Sequence, residues 1–121
     1  MYLATLLLTA LLALQAASPE IAATPSPNPF ADGSAVYAQK CMACHGDQGQ
    51  GADGVPQLSG NDAVVGNPTP VIAIVKHGRH GMPAFGGQLT TDEIAAVVTY
   101  IRTAWGNEGT SVAPYQVDDV H

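Results

Sequence analysis

The sequence predicts an all-α domain in which three main helices are joined by glycine-rich loops. Three observations lead there. Apolar residues recur at three- and four-residue spacing in separate runs, and these runs are punctuated by capping residues, proline or glycine. No strand-helix alternation is visible. At 121 residues the chain holds one small domain rather than two.

The first helix begins at Asp32, a capping residue, and runs through Gly33, Val36, Tyr37 and Lys40. Val36, Tyr37, Lys40 and Cys44 are spaced for one face, so this helix delivers the segment Cys41-Met42-Ala43-Cys44-His45. Gly46 to Gly54 is too rich in glycine for a regular element and suits a loop passing close to a flat ring. A second helix is expected from Thr69 as N-cap and Pro70 at the first helical position. Val71, Ile72, Ile74 and Val75 would form its apolar face, with Gly78 as the stop. The third is marked by the capping box Thr90-x-x-Glu93 ahead of Ile94, Val97, Val98, Ile101 and Trp105, with Gly106 ending it. No internal repeat is visible.

The segments outside the domain read differently. Residues 1–17 carry no charge and include seven leucines between Leu3 and Leu14, the pattern of a secretory signal peptide or a retained membrane anchor. Residues 18–31 contain Pro19, Pro25, Pro27 and Pro29 among small polar residues and read as an extended linker. The domain is expected over 32–107, and 108–121 reads as a flexible C-terminal tail.

The segment Cys41-x-x-Cys44-His45 carries the chemistry, because C-x-x-C-H is the attachment pattern of a c-type haem. On a helical turn the two thiols share a face and can form thioethers to one porphyrin, while His45 reaches the iron as proximal ligand. Two rival readings of the cysteines are weaker. A thioredoxin-like dithiol belongs to a βαβ unit, and a structural zinc needs two further ligands at finger spacing, which His77 and His80 do not provide.

A second informative residue is Met82, in Gly78-Arg79-His80-Gly81-Met82-Pro83-Ala84-Phe85-Gly86-Gly87. Pro83 pushes Met82 out of helical geometry, and flanking glycines allow close approach to a ring, so the thioether is the candidate sixth ligand. His80 and His77 are the rivals, and a gap-filling methionine is the plain alternative. Pro56 can offer its carbonyl to the second nitrogen of His45. Leu58, Ile74, Val75, Phe85, Leu89 and Val98 are the candidates to cover the haem, so that the cofactor supports a core that would be marginal without it. Tyr37, Tyr100 and Trp105 read as packing residues.

The formal charge of −6, with only Lys40, Lys76, Arg79 and Arg102 positive, disfavours nucleic-acid binding. Docking is expected through a basic partner or apolar contact around a haem edge.

The assembled pattern resembles a class I cytochrome c. Gly33-x-x-Val36-Tyr37 leads into Cys41-x-x-Cys44-His45, then Pro56-x-Leu58, Gly81-Met82-Pro83-x-Phe85 and a C-terminal helix with Tyr100. The stretch from Gly81 through Leu89-Thr90-x-x-Glu93-Ile94 is similar to small monohaem domains serving bacterial dehydrogenases and terminal oxidases. The resemblance implies three main helices and loops wrapped around one covalently bound haem c, attached through Cys41 and Cys44 and ligated by His45 and Met82. It also implies crossing of the first and last helices around Gly33/Tyr37 and Val97/Tyr100. The expected function is one-electron transfer between periplasmic or otherwise extracytoplasmic redox proteins of a respiratory chain, with a dehydrogenase, an oxidase or another cytochrome as partner and no enzymatic activity. Membrane contact is expected only if residues 1–17 are retained. The alternatives are a haem enzyme or gas sensor with an open sixth site, and a fixed cytochrome subunit of a dehydrogenase or oxidase complex.

Overall fold

The structure, a computed structural model, describes residues 32–121; the leader and proline-rich linker expected over 1–31 lie outside the described residues. Six helical segments follow one another: α1 Gly33–Lys40, α2 Met42–His45, α3 Asp62–Val65, α4 Pro68–His77, α5 Thr91–Thr103 and α6 Pro114–Asp118. Among the described residues the only β features are two isolated bridges. None of the described helices is long and apolar enough to cross a membrane.

Each helix end has a local cause. Asp32 caps α1, its carboxylate accepting from the Ser34 and Ala35 amides, and the Ser34 hydroxyl and these amides hold its pKa below the ordinary carboxylate value. The first helix, expected to lead into the C-x-x-C-H segment, stops at Cys41, whose φ of −121° separates it from α2. For α4 the start moves two residues upstream. Asn67 accepts from the Thr69 amide and Pro68 takes a first-turn position, so the cap assigned to Thr69 belongs to Asn67. The capping box of α5 forms as expected. Thr90 Oγ1 accepts from the Glu93 amide, and Glu93 Oε1 accepts from the Thr90 amide at 3.0 Å. The helix ends at Thr103, so Trp105 lies beyond it with a φ of 55°.

The core gathers Val36 and Tyr37 of α1, Val71, Ile72 and Val75 of α4, and Ile94, Ala95, Val97, Val98 and Ile101 of α5, with Phe85 and Leu89 between them. Each of the valine, isoleucine, leucine and phenylalanine side chains contributes about 1.5–3 kcal/mol by leaving water. α1 crosses α5 where Gly33 lies against the Ala96 carbonyl and Tyr100 Cβ. Beside the crossing, Tyr37, Tyr100 and Trp105 form a ring cluster with centroids 5.0–5.5 Å apart.

The loose tail expected after Asn107 is instead folded onto the domain. Val112, Val117 and Val120 are buried, and Lys76 Nζ donates to the Val117 carbonyl at 2.8 Å and the Val120 carbonyl at 2.6 Å. Thr91 and Asp118 add a hydrogen bond between α5 and α6. The polar residues that suggested fraying face outward, and three valines at wide spacing supply the burial.

Arg102 is the largest fully buried side chain, 1% exposed. Its Nη1 donates to the Val64 and Gly66 carbonyls, both at 2.7 Å, its Nε to the Thr110 carbonyl and its Nη2 to the Thr110 hydroxyl. Burial pulls its pKa down. One guanidinium thus joins the α3–α4 turn, α5 and the chain beyond Asn107.

Candidate functional site

The break after α1 sets the two cysteines apart in environment. Cys41 is half-buried, Cys44 is exposed, and both are free thiols. Burial, then the neighbouring Cys44, pushes the Cys41 thiol up to about 11, the opposite of the lowered value that marks an exchange-active dithiol. Among the described residues no three or more His, Cys, Asp and Glu side chains gather as a metal-holding group.

His45, at the end of α2, is 9% exposed. Its Nδ1 lies 3.0 Å from the Pro56 carbonyl oxygen. A carbonyl only accepts, so Nδ1 carries the proton and the lone pair is on Nε2. The ring is held in the state that a metal-ligating imidazole requires.

The chain folds around this contact through a loop whose ends are tied. The Gly51 amide donates to the His45 carbonyl at 2.8 Å, and the Leu58 and Ser59 amides both donate to the Gly49 carbonyl. Tyr37 Oη donates to the Gly46 carbonyl at 2.6 Å; burial raises this hydroxyl to about 12, so it remains a donor.

Met82 sits in a second loop of the same design. Ala52 and Val55 exchange backbone hydrogen bonds in the first loop, as Arg79 and Met82 do in the second. Gly51 (φ 71°) packs under Val55-Pro56-Gln57, and Gly78 (φ 75°) packs under Met82-Pro83-Ala84. A Cβ on either would lie 2.7–3.0 Å from the facing backbone. The two segments Gly51-Ala-Asp-Gly-Val-Pro-Gln-Leu58 and Gly78-Arg-His-Gly-Met-Pro-Ala-Phe85 share the spacing G-x-x-G-x-P, a short internal repeat that corrects the expectation of none.

The second loop is anchored on α4, with the Phe85 amide donating to the Val75 carbonyl and the Gly86 amide to the Lys76 carbonyl. Met82 is half-buried against the core, whereas His77 and His80 are exposed. His80 also adopts a φ of 53°, a left-handed conformation costing about 1 kcal/mol for a residue with a Cβ. Of the residues expected to cover a haem, Val75, Phe85, Leu89 and Val98 are buried, while Leu58 and Ile74 are half-buried.

The donor set comprises two free thiols, an imidazole with its Nε2 lone pair available and a thioether. That chemistry fits an iron porphyrin bound covalently through its edge. Two buried polar residues that sequence reasoning missed brace the site's surroundings. Arg102 falls eight residues after Ile94 and four after Val98, a spacing that puts it on their apolar face. Asn107, just past α5, is 8% exposed, and nothing in its local sequence distinguishes it from a turn residue.

Residues 28–101 match the family described as Cytochrome C oxidase, cbb3-type, subunit III. Cytochrome c-552 of Thermus thermophilus is 37% identical over 93 residues, 64% of this chain and 70% of that protein. The cytochrome c subunit of alcohol dehydrogenase (quinone) from Gluconacetobacter polyoxogenes is 36% identical over 89 residues, 63% of this chain; the matched part is 19% of that subunit. A solved structure, the KustC0563 c-type cytochrome, superposes with a TM-score of 0.54 at 27% identity, covering 59% of this chain and 94% of the other. The chain belongs to this family of cytochrome c domains, which bind a covalently attached c-type haem.

Proposed function

We propose that the domain carries single electrons between extracytoplasmic redox proteins of a respiratory chain, transforming no substrate itself. The observation that carries this reading is the hydrogen bond from His45 Nδ1 to the Pro56 carbonyl, which leaves Nε2 as the ligating nitrogen. When bound, the haem supplies a one-electron ferric/ferrous couple.

The chain's own residues do the rest. Cys41 and Cys44 provide the two thioether anchors, and His45 provides the proximal nitrogen. Met82 presents a soft sulfur from a loop pinned to α4, and such a donor favours the ferrous state and a raised potential. Val75, Phe85, Leu89 and Val98 supply the apolar surroundings, with Leu58 beside them. A dehydrogenase, an oxidase or another cytochrome is the partner class, reached either as a free carrier or as part of a complex.

The test is the optical spectrum of the holoprotein, oxidised and reduced. A weak far-red band in the ferric state marks sulfur-iron ligation. The Met82→Ala variant is expected to keep its haem, lose the low-spin ferric spectrum and fall in potential. Rapid carbon monoxide binding by reduced wild-type protein, without that band, would replace this reading with an open-site enzyme or gas sensor.

A further inference from the structure

We infer that Asn107 is a positioning residue for the proximal histidine, acting by clamping the backbone that presents the Pro56 carbonyl. The inference rests on the reading of His45 as the iron ligand. Pro56 has no amide proton and cannot hydrogen-bond its own backbone nitrogen into place, so the placement of its carbonyl depends on neighbouring residues. On one side Gly51 lies against the Pro56 backbone. On the other, the fixed points are at Leu58 and Gly60.

Asn107 holds both points at once. Its Oδ1 accepts from the Gly60 amide at 2.8 Å, and its Nδ2 donates to the Leu58 carbonyl at 3.0 Å and to the Ile101 carbonyl at 2.7 Å. Ile101 lies in the last turn of α5, where carbonyls lack helical partners, so this third bond ties the carboxamide to a rigid element. A capping role alone would need only the Ile101 bond. Two of the three bonds instead reach residues 47 and 49 positions away in sequence. Leu58 is further fixed through its amide to the Gly49 carbonyl. The relay therefore runs from α5 through Asn107 to Leu58 and Gly60, then to Pro56 and the His45 imidazole. Since the Pro56 bond sets the tautomer and orientation of that ring, loosening the clamp loosens the ligand without touching it.

The experiment follows the His45 Nδ1 proton in ferric holoprotein by paramagnetic NMR, measuring its exchange with deuterium. Three variants are compared with wild type. Asn107→Ala removes all three bonds. Asn107→Asp keeps the acceptor for the Gly60 amide but removes both donors, and it nearly preserves volume should the alanine variant not fold. Val117→Ala destabilises the C-terminal packing away from the loop.

The expected result is exchange about tenfold or more faster in Asn107→Ala, the scale on which losing buried hydrogen bonds promotes local opening. Asn107→Asp, which turns an acceptor oxygen toward the Leu58 and Ile101 carbonyls, is expected to accelerate exchange at least as much, and Val117→Ala to match wild type despite a lower melting temperature. Equal rates in wild type and both Asn107 variants would overturn the inference, as would the same acceleration in Val117→Ala. A wild-type His45 ring without a hyperfine shift would instead overturn the ligand assignment on which the inference stands.

Discussion

At the scale of single residues, His45 and Arg102 show two ways of burying a polar side chain. His45 exchanges water for one carbonyl and keeps a nitrogen for chemistry. Arg102 engages three carbonyls and a hydroxyl, with no carboxylate among its hydrogen-bond partners. Removing a buried group with several partners strands those partners without water. Arg102→Ala is therefore expected to destabilise the holoprotein by about 3–5 kcal/mol, read from the denaturant midpoint at unchanged slope. A change below about 1 kcal/mol would mean that the carbonyls recover solvent at little cost. Of these two residues, His45 was legible from its motif. Arg102 left only a spacing, because charge in a sequence reads as surface until partners from distant segments converge on it.

At the scale of elements, the Pro56 and Met82 loops use one device: a glycine under a proline-containing turn, closed by a pair of backbone hydrogen bonds. The first loop is tied to α5 through Asn107, and the second to the end of α4 through the Phe85 and Gly86 amides. The same end of α4 also holds the C-terminal segment through Lys76. Lys76→Met would retain most of the aliphatic stem but leave the Val117 and Val120 carbonyls without their ammonium donor. The expected loss is about 1–3 kcal/mol of stability, with faster hydrogen exchange at the Asp119 and Val120 amides than at those of α5. Uniform acceleration across α5 and α6 would show that the strap does not open on its own.

At the scale of the whole molecule, the described 90-residue stretch, 32–121, is small for a self-sufficient core. Nine of its sixteen buried apolar residues are valines, each contributing less area than leucine or phenylalanine. A bound haem adds large apolar faces to that core, and covalent attachment keeps it there. Haem-free protein, obtained by replacing Cys41 and Cys44 with alanine, is expected to show little helical circular dichroism where the holoprotein shows a cooperative transition. A native-like helical spectrum from the haem-free chain would demonstrate that α1, α4 and α5 suffice by themselves.

Local chemistry written into adjacent residues was determined by the sequence alone. The haem attachment segment, the Asp32 cap, the Thr90/Glu93 capping box and the proline beside Met82 all act within a few positions, so their meaning survives without a fold. The class of fold was legible for the same reason, since helical periodicity is a short-range pattern. Tertiary structure decided whatever depends on groups far apart in the chain. The expected tail became a strap because Lys76 meets carbonyls 41 and 44 positions later. Arg102 became a core residue because carbonyls from the end of α3, the turn after it and Thr110 surround it. The Pro56 carbonyl is braced at His45 because Asn107 reaches back across 49 residues to Leu58. Hydrogen bonds and burial act through space, and only the folded chain brings these partners together.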